Sequence, residues 1–155
     1  MKKYDNIMPY IHLPVQSGDE TILKLMKRQM IIKDYLKLIN YIRANIKDCA
    51  ISTDLIVGFP NENGKQFANT IKLYRLIKFD NAYTFIYSKR KGTMAATLAD
   101  KTSLVAKEKR LAELNELVRK YAKERCEYWN HKVVEVLVEG SSKTKKHILT
   151  GYSRQ

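Results

Sequence analysis

Two cysteines, no long apolar run and a shortage of acidic side chains set the first limits on this sequence. Cys49 and Cys126 are the only thiols, and they lie far apart in the 155 residues. They make no local metal-ligand motif and suit reduced, buried or half-buried thiols. No run of about 18 apolar residues occurs, so no transmembrane helix is expected. The start, MKKYDNIMPYIHLPV, lacks an apolar h-region and a small-residue cleavage site. It does not read as a signal peptide. Asp and Glu number 16 against 29 Lys and Arg, a formal +13. That excess favours a polyanionic partner, RNA or DNA first, over an evenly solvated lysine-rich surface. The cations are spread out, with denser spots at Lys89-Arg90-Lys91 and at Lys143, Lys145 and Lys146.

What is present is organised. An apolar share of 45% is enough for a core, and the length suits one domain with a small appendage. YIHLPV (10–15) reads as a first strand. The polar turn Gln16-Ser17-Gly18 follows, then a helix capped near Asp19 with Ile22, Leu23 and Met26 on one face. A second helix is expected over 33–46, with Tyr35, Leu38, Ile39, Ile42 and Ile46 at helical spacing. AISTDLIVGF (50–59) is nearly continuous and β-branched, as a parallel strand buried on both faces would be. Asn61 or Asn63 can cap the next helix, which turns Phe67, Ile71, Tyr74 and Ile77 to one side. NAYTFIYS (81–88) is the third strand. Alternation of strand and helix predicts a parallel sheet with right-handed crossovers, whose ligands sit at the strands' carboxyl ends. Those ends are Gln16-Ser17-Gly18, Gly58-Phe59-Pro60 and Ser88-Lys89-Arg90. Three strands are too few for a closed barrel.

A second region begins near Thr102. Residues 103–131 read as one long helix with an apolar stripe of Leu111, Leu114, Val118, Tyr121 and Cys126. KVVEVLVEG (132–140) alternates as a half-buried antiparallel strand. SSKTKKH is a basic loop, and ILTGYSRQ starts a partner strand. His12, inside the first strand, reads as a satisfied core histidine. His131 and His147 do not read as ligands.

The blocks IHLPVQSG…ILKLMKR, ISTDLIVGFPNE, FDNAYTFIYSKRKGTMAA, KEKRLAELN and KVVEVLVEG…LTGYSRQ occur in this order. Together they resemble the C-terminal half of the MiaB-type tRNA methylthiotransferases, over about residues 8 to 155. The resemblance implies an α/β fold: a partial radical-SAM half-barrel (1–101), a linking helix (102–131) and the start of a small RNA-binding β-barrel, the TRAM domain (132–155). It implies tRNA as partner, a cytoplasmic setting and no membrane. The family reaction adds a methylthio group to isopentenyladenosine beside the anticodon, using S-adenosylmethionine and two [4Fe–4S] clusters. QSG resembles the tRNA-modifying branches, and AYTFIYS the isopentenyladenosine branch.

By the same resemblance, Gln16, Ser17, Gly18, Arg28, Asp54, Ile56 and Gly58 are the expected cofactor contacts. Gly18 would permit close approach, and Gly58 would leave room for a ring. Lys89, Arg90, Lys132, Lys143, Lys145, Lys146 and Arg154 are the expected RNA contacts. The departures matter as much. The family holds its radical cluster on a Cys-x3-Cys-x2-Cys loop, with three more cysteines in an N-terminal domain, and this chain has neither. Cluster iron needs thiolates. Lys89 and Met94 stand where the family usually has prolines. No catalytic or metal-ligating residue is therefore assigned here. The expectation is a C-terminal fragment inactive alone. The alternatives are a non-catalytic RNA-binding module, or a subunit completed by another chain that carries the cysteines.

Overall fold

The β-branched run at 50–57 becomes the middle strand of a parallel sheet, because it alone offers apolar or small side chains to both neighbours. The computed structural model describes residues 1, 3–4 and 6–154. In chain order the elements are β1 (Tyr10–His12), α1 (Glu20–Leu25), α2 (Ile32–Asn45), β2 (Ala50–Val57), α3 (Gly64–Ile77), β3 (Asn81–Ile86), α4 (Met94–Thr97), α5 (Leu104–Trp129), β4 (Val136–Ser141) and β5 (Leu149–Ser153). The sheet order is β1-β2-β3, with both pairings parallel. β4 and β5 form a separate antiparallel pair whose register shifts between Val138 and Gly140.

Local chemistry fixes the helix starts. Asp19 caps α1 by accepting from the N–H groups of Thr21 (3.0 Å) and Ile22 (3.1 Å). Of the two candidate caps for α3, Asn63 is used: it accepts from Gln66 N, and Gln66 answers from its side chain, a capping box. Ser103 caps α5 through Ala106 N. Nothing in the sequence announces the start of α2, whose N-cap Ile31 has no side chain to offer. Glu20, the first residue of α1, accepts from Ile32 N–H at 3.1 Å and replaces the missing cap.

One face of the sheet is covered. Ile51, Leu55 and Val57 of β2 pack with Tyr35, Ile39 and Ile42 of α2, with Phe67, Ile71, Tyr74 and Ile77 of α3, and with Leu114 and Tyr121 of α5. Each such side chain contributes about 1.5–3 kcal/mol when fully buried. The other face is open: Tyr10, Tyr83 and Phe85 are 43%, 51% and 52% exposed. The expectation of a strand buried on both faces holds for the first half of β2, where Ala50 and Ser52 are buried on the outward side; further along that side Asp54 and Ile56 are half-buried, and the exposed rings belong to β1 and β3. The strands also end earlier than their apolar runs, since Leu13 and Pro14 leave β1, and Phe59 and Pro60 are buried in the turn after β2.

Elsewhere the pattern overreached. Leu38 on α2 and Cys126 on α5 are exposed, because each stripe runs past the layer that covers it. Residues 132–135 are not strand, and β4 is exposed except at Gly140. A two-stranded ribbon supplies no second layer to bury either face.

Gly18 shows why one residue type was required. A Cβ there would lie 2.5 Å from Thr70 Cα and 2.6 Å from Asn69 O, both backbone atoms of α3. Gly18→Ala is expected to destabilise the chain by about 1–3 kcal/mol through overpacking. Gly64→Ala meets nothing within 4 Å and gains helix propensity. Urea denaturation of both variants checks this; equal effects would refute the packing account.

Candidate functional site

Parallel strands bring their carboxyl ends to one rim, and the residues after β1 and β2 meet there. Gln16 N–H donates to Asp54 O and Ile56 N–H donates to Gln16 O, both at 2.9 Å. Gln16 sits in the left-handed region at φ 69. For a non-glycine residue this is a strained conformation, of the kind that collects at ligand sites. Ser17 turns inward instead. It is fully buried, with its hydroxyl 3.4 Å from that of Thr70. Gly18 N–H donates to Thr70 Oγ1 at 2.9 Å. The QSG turn thus divides: Gln16 faces the rim, while Ser17 and Gly18 dock the turn onto α3. The close approach that requires a glycine at 18 is to a helix.

Gly58, at φ +68, has its open space filled as well. The Lys107 stem passes 2.5 Å from where a Cβ would be, so a chain methylene lies where room for a ring was expected. Lys107 continues to an ion pair with Asp100, whose carboxyl is held below its ordinary range chiefly by that hydrogen bond. Beside it, Glu62 accepts from Gly58 N–H at 2.8 Å and from Arg110 at 3.0 Å. Together these contacts clamp α5 across the end of β2. Arg28 lies exposed after α1, its backbone N–H bonded to Leu23 O.

The open sheet face carries the polar chemistry. Strand alternation places Tyr10 and His12 of β1, Ser52, Asp54 and Ile56 of β2, and Tyr83 and Phe85 of β3 on that side. Tyr10 Oη is 2.6 Å from Ser52 Oγ, and Ser52 Oγ is 2.8 Å from His12 Nδ1. His12 Nε2 is 3.4 Å from Asp54 Oδ1. The carboxylate favours a proton on Nε2, which leaves Nδ1 to accept from Ser52. Tyr83 meets the imidazole edge-on at 5.9 Å. His12 is therefore no core histidine; its side chain is 37% exposed. This row of polar groups between aromatic rings can hydrogen-bond and stack a flat polar ligand. Of the residues on this face, sequence reasoning had named Asp54 and Ile56 as expected contacts and had not named Tyr10, Ser52 and Tyr83, while His12 was read as core. The period of two in β1 was the available signal.

The expected RNA contacts separate into groups. Lys89 and Arg90 are exposed after β3, and Lys143, Lys145 and Lys146 are exposed in the β4–β5 turn. Arg154 pairs with Glu135 at 3.4 Å, which offsets its charge. Lys132 lies over the Tyr128 ring. Among the described residues no helix is long and apolar enough to cross a membrane.

A parallel half-sheet backed by helices, with polar groups on its open face and at its carboxyl rim, is the architecture of part of a (βα) barrel. The family model of the radical SAM superfamily matches residues 1–74. The whole chain is 59% identical to the tRNA-2-methylthio-N(6)-dimethylallyladenosine synthase of Malacoplasma penetrans (strain HF-2), covering 32% of it. It is 49% identical to the synthase of that name in Geobacillus kaustophilus (strain HTA426), covering 29%, and 45% identical to that of Bacillus subtilis (strain 168), covering 30%. Along its whole length the chain is similar to the C-terminal part of these radical SAM synthases. It spans about a third of the length of the curated relatives it matches.

Radical SAM chemistry rests on S-adenosylmethionine and [4Fe–4S] clusters. The described residues do not fit a cluster. Cys49 is buried at the start of β2, away from the carboxyl rim, its thiol pushed up by burial first and by Asp80 second. Cys126 is exposed on α5, and no three metal-ligating side chains gather among the described residues. Reconstituted with iron and sulfide, the chain is expected to hold no cluster; stoichiometric iron with cluster absorbance would overturn this.

Glu62 gives a pH test of the clamp. Burial raises its pKa above the ordinary 4.5, and the Gly58 N–H and Arg110 only partly offset this. Folding therefore favours its protonated form. The stability it contributes is fully present below 4.5 and is lost as the pH rises through the folded value. Glu62→Gln removes that titration. Its stability relative to wild type is expected to improve as the pH rises from about 4.5 through the raised folded value of Glu62 and to change no further above it, by urea denaturation; a constant difference would refute the buried ionisation.

Proposed function

We propose that this chain forms the C-terminal wall of the barrel and the RNA-gripping end of a tRNA methylthiotransferase. On this reading it takes part in methylthiolation of isopentenyladenosine in tRNA only together with a part that supplies the cluster cysteines. The observation that carries the reading is identity of 45–59% along the entire chain to synthases of that name. The open sheet face supports it, since such a face suits a barrel interior shared with further strands. On this reading Gln16, at the carboxyl rim, and Asp54 and Ile56, on the open face, contact the nucleoside part of S-adenosylmethionine. Ser17, Gly18 and Gly58 hold the rim in shape around them. The helix α5 and the β4–β5 ribbon are read as the link to, and the start of, a TRAM domain.

Lys89, Arg90, Lys132, Lys143, Lys145 and Lys146 are the RNA contacts of this reading. Binding through lysine–phosphate pairs releases counterions, so it is steep in salt and poor in sequence preference. Each lost phosphate contact lowers the log–log salt slope by roughly 0.7 to 0.9. Replacing Lys143, Lys145 and Lys146 by alanine is expected to flatten the slope by about two to three units, without changing preference among tRNAs. A salt titration of wild type and triple variant against tRNA checks this. Equal slopes would make the loop a solvated surface, and absent tRNA binding at low salt would overturn the RNA-gripping role.

A further inference from the structure

At the exit of α5, two aromatic side chains stand outside the apolar core. Tyr128 is 45% exposed, and Trp129 meets it edge-on at 5.0 Å with the rings 82° apart. Two cations are held against them. The Arg125 guanidinium lies 4.9 Å from the Tyr128 ring centre and 5.2 Å from that of Trp129. The Lys132 ammonium lies 3.1 Å and 5.2 Å from the same centres.

The arrangement is fixed rather than incidental. Arg125 is anchored to Asp80 at 2.7 Å and to Asp48 O at 3.1 Å. The Tyr128 hydroxyl donates to Asp48 Oδ1 at 2.9 Å. After α5 the chain reverses, with His131 at φ 59 and Lys132 N–H donating to Trp129 O at 3.2 Å. That turn lays Lys132 back over the rings, and among the described residues it is paired with no carboxylate. Arg125 and Tyr128 also border a cavity of about 450 Å³ whose wall carries Arg43 and Lys78 together with Asp48, Asp80 and Glu124.

We propose that Trp129, held edge-on by Tyr128 and flanked by Lys132 and Arg125, forms a stacking surface for an unpaired RNA base, with the adjoining phosphate on Lys132. Rings serve any base because every base has a π face, and neighbouring cations serve the backbone. The formal +13 of the chain supplies the long-range attraction. An acidic peptide would use the cations and leave the rings idle. This inference rests on the RNA-gripping reading, but it concerns base stacking, where the lysine turn of the β4–β5 ribbon concerns phosphates.

Trp129 is the single tryptophan, so its emission reports this spot alone. A short oligouridylate is titrated into the full chain while tryptophan emission is followed, and binding is measured separately by anisotropy of the labelled oligonucleotide. Heparin serves as a polyanion without bases. The expected result is quenching by oligouridylate and none by heparin. Trp129→Leu is expected to bind oligouridylate about 5- to 150-fold more weakly, with an unchanged salt slope, while Trp129→Phe loses less. Binding without quenching, equal quenching by heparin, or wild-type affinity in Trp129→Leu would overturn the platform and leave the phosphate contacts standing. No binding by anisotropy at low salt would overturn both. Should Trp129→Leu fail to fold by circular dichroism, the two wild-type titrations decide alone.

Discussion

β2 is hydrogen-bonded on both edges, and the rest of the molecule is arranged around that double pairing. Its register with β1 and β3 fixes which side chains face the helices and which face outward. A slip of one residue would exchange Ile51, Leu55 and Val57 for Ser52, Asp54 and Ile56, and the core would become polar. The apolar half of β2 thus positions the polar half, and the open face inherits its geometry from the buried one.

That open face is unusual for a parallel sheet, which is normally covered on both sides. The side chains on it are not random surface residues. Tyr10, Ser52, His12 and Asp54 form one continuous chain of contacts, flanked by Tyr83 and Phe85. Polar groups linked in this way hold their rotamers and need little reorganisation to meet a ligand.

The long helix α5 ties the two ends of the sheet together. Near its start, Lys107 and Arg110 reach the carboxyl end of β2 through Gly58 and Glu62. Near its end, Arg125 reaches Asp80 and Asp48 at the amino end. A buried Glu62 costs desolvation, and Arg110 makes that cost tolerable. Electrostatics at both ends, with Leu114 and Tyr121 between them, fix the direction in which the chain leaves the sheet and so where Tyr128, Trp129 and Lys132 stand.

The sequence by itself determined the order of the elements other than α4, the parallel sheet, the cap of α1 and the shortage of thiolates, and it narrowed the cap of α3 to Asn61 or Asn63. Each follows from local chemistry: side-chain period, a capping oxygen, or a residue count. It also carried the family, because five ordered blocks survive in it. Tertiary structure decided what those residues do in space. Gly18 is glycine because α3 backbone lies against it, and Gly58 leaves a gap that the Lys107 stem, far along the chain, fills. His12 is outward because β1 has a covered and an uncovered face, which no single strand reveals. The Arg125–Tyr128–Trp129–Lys132 group depends on Asp48 and Asp80, distant in sequence. Contacts between such residues are set by how layers pack, and pattern along one chain does not encode which layer is missing from a face.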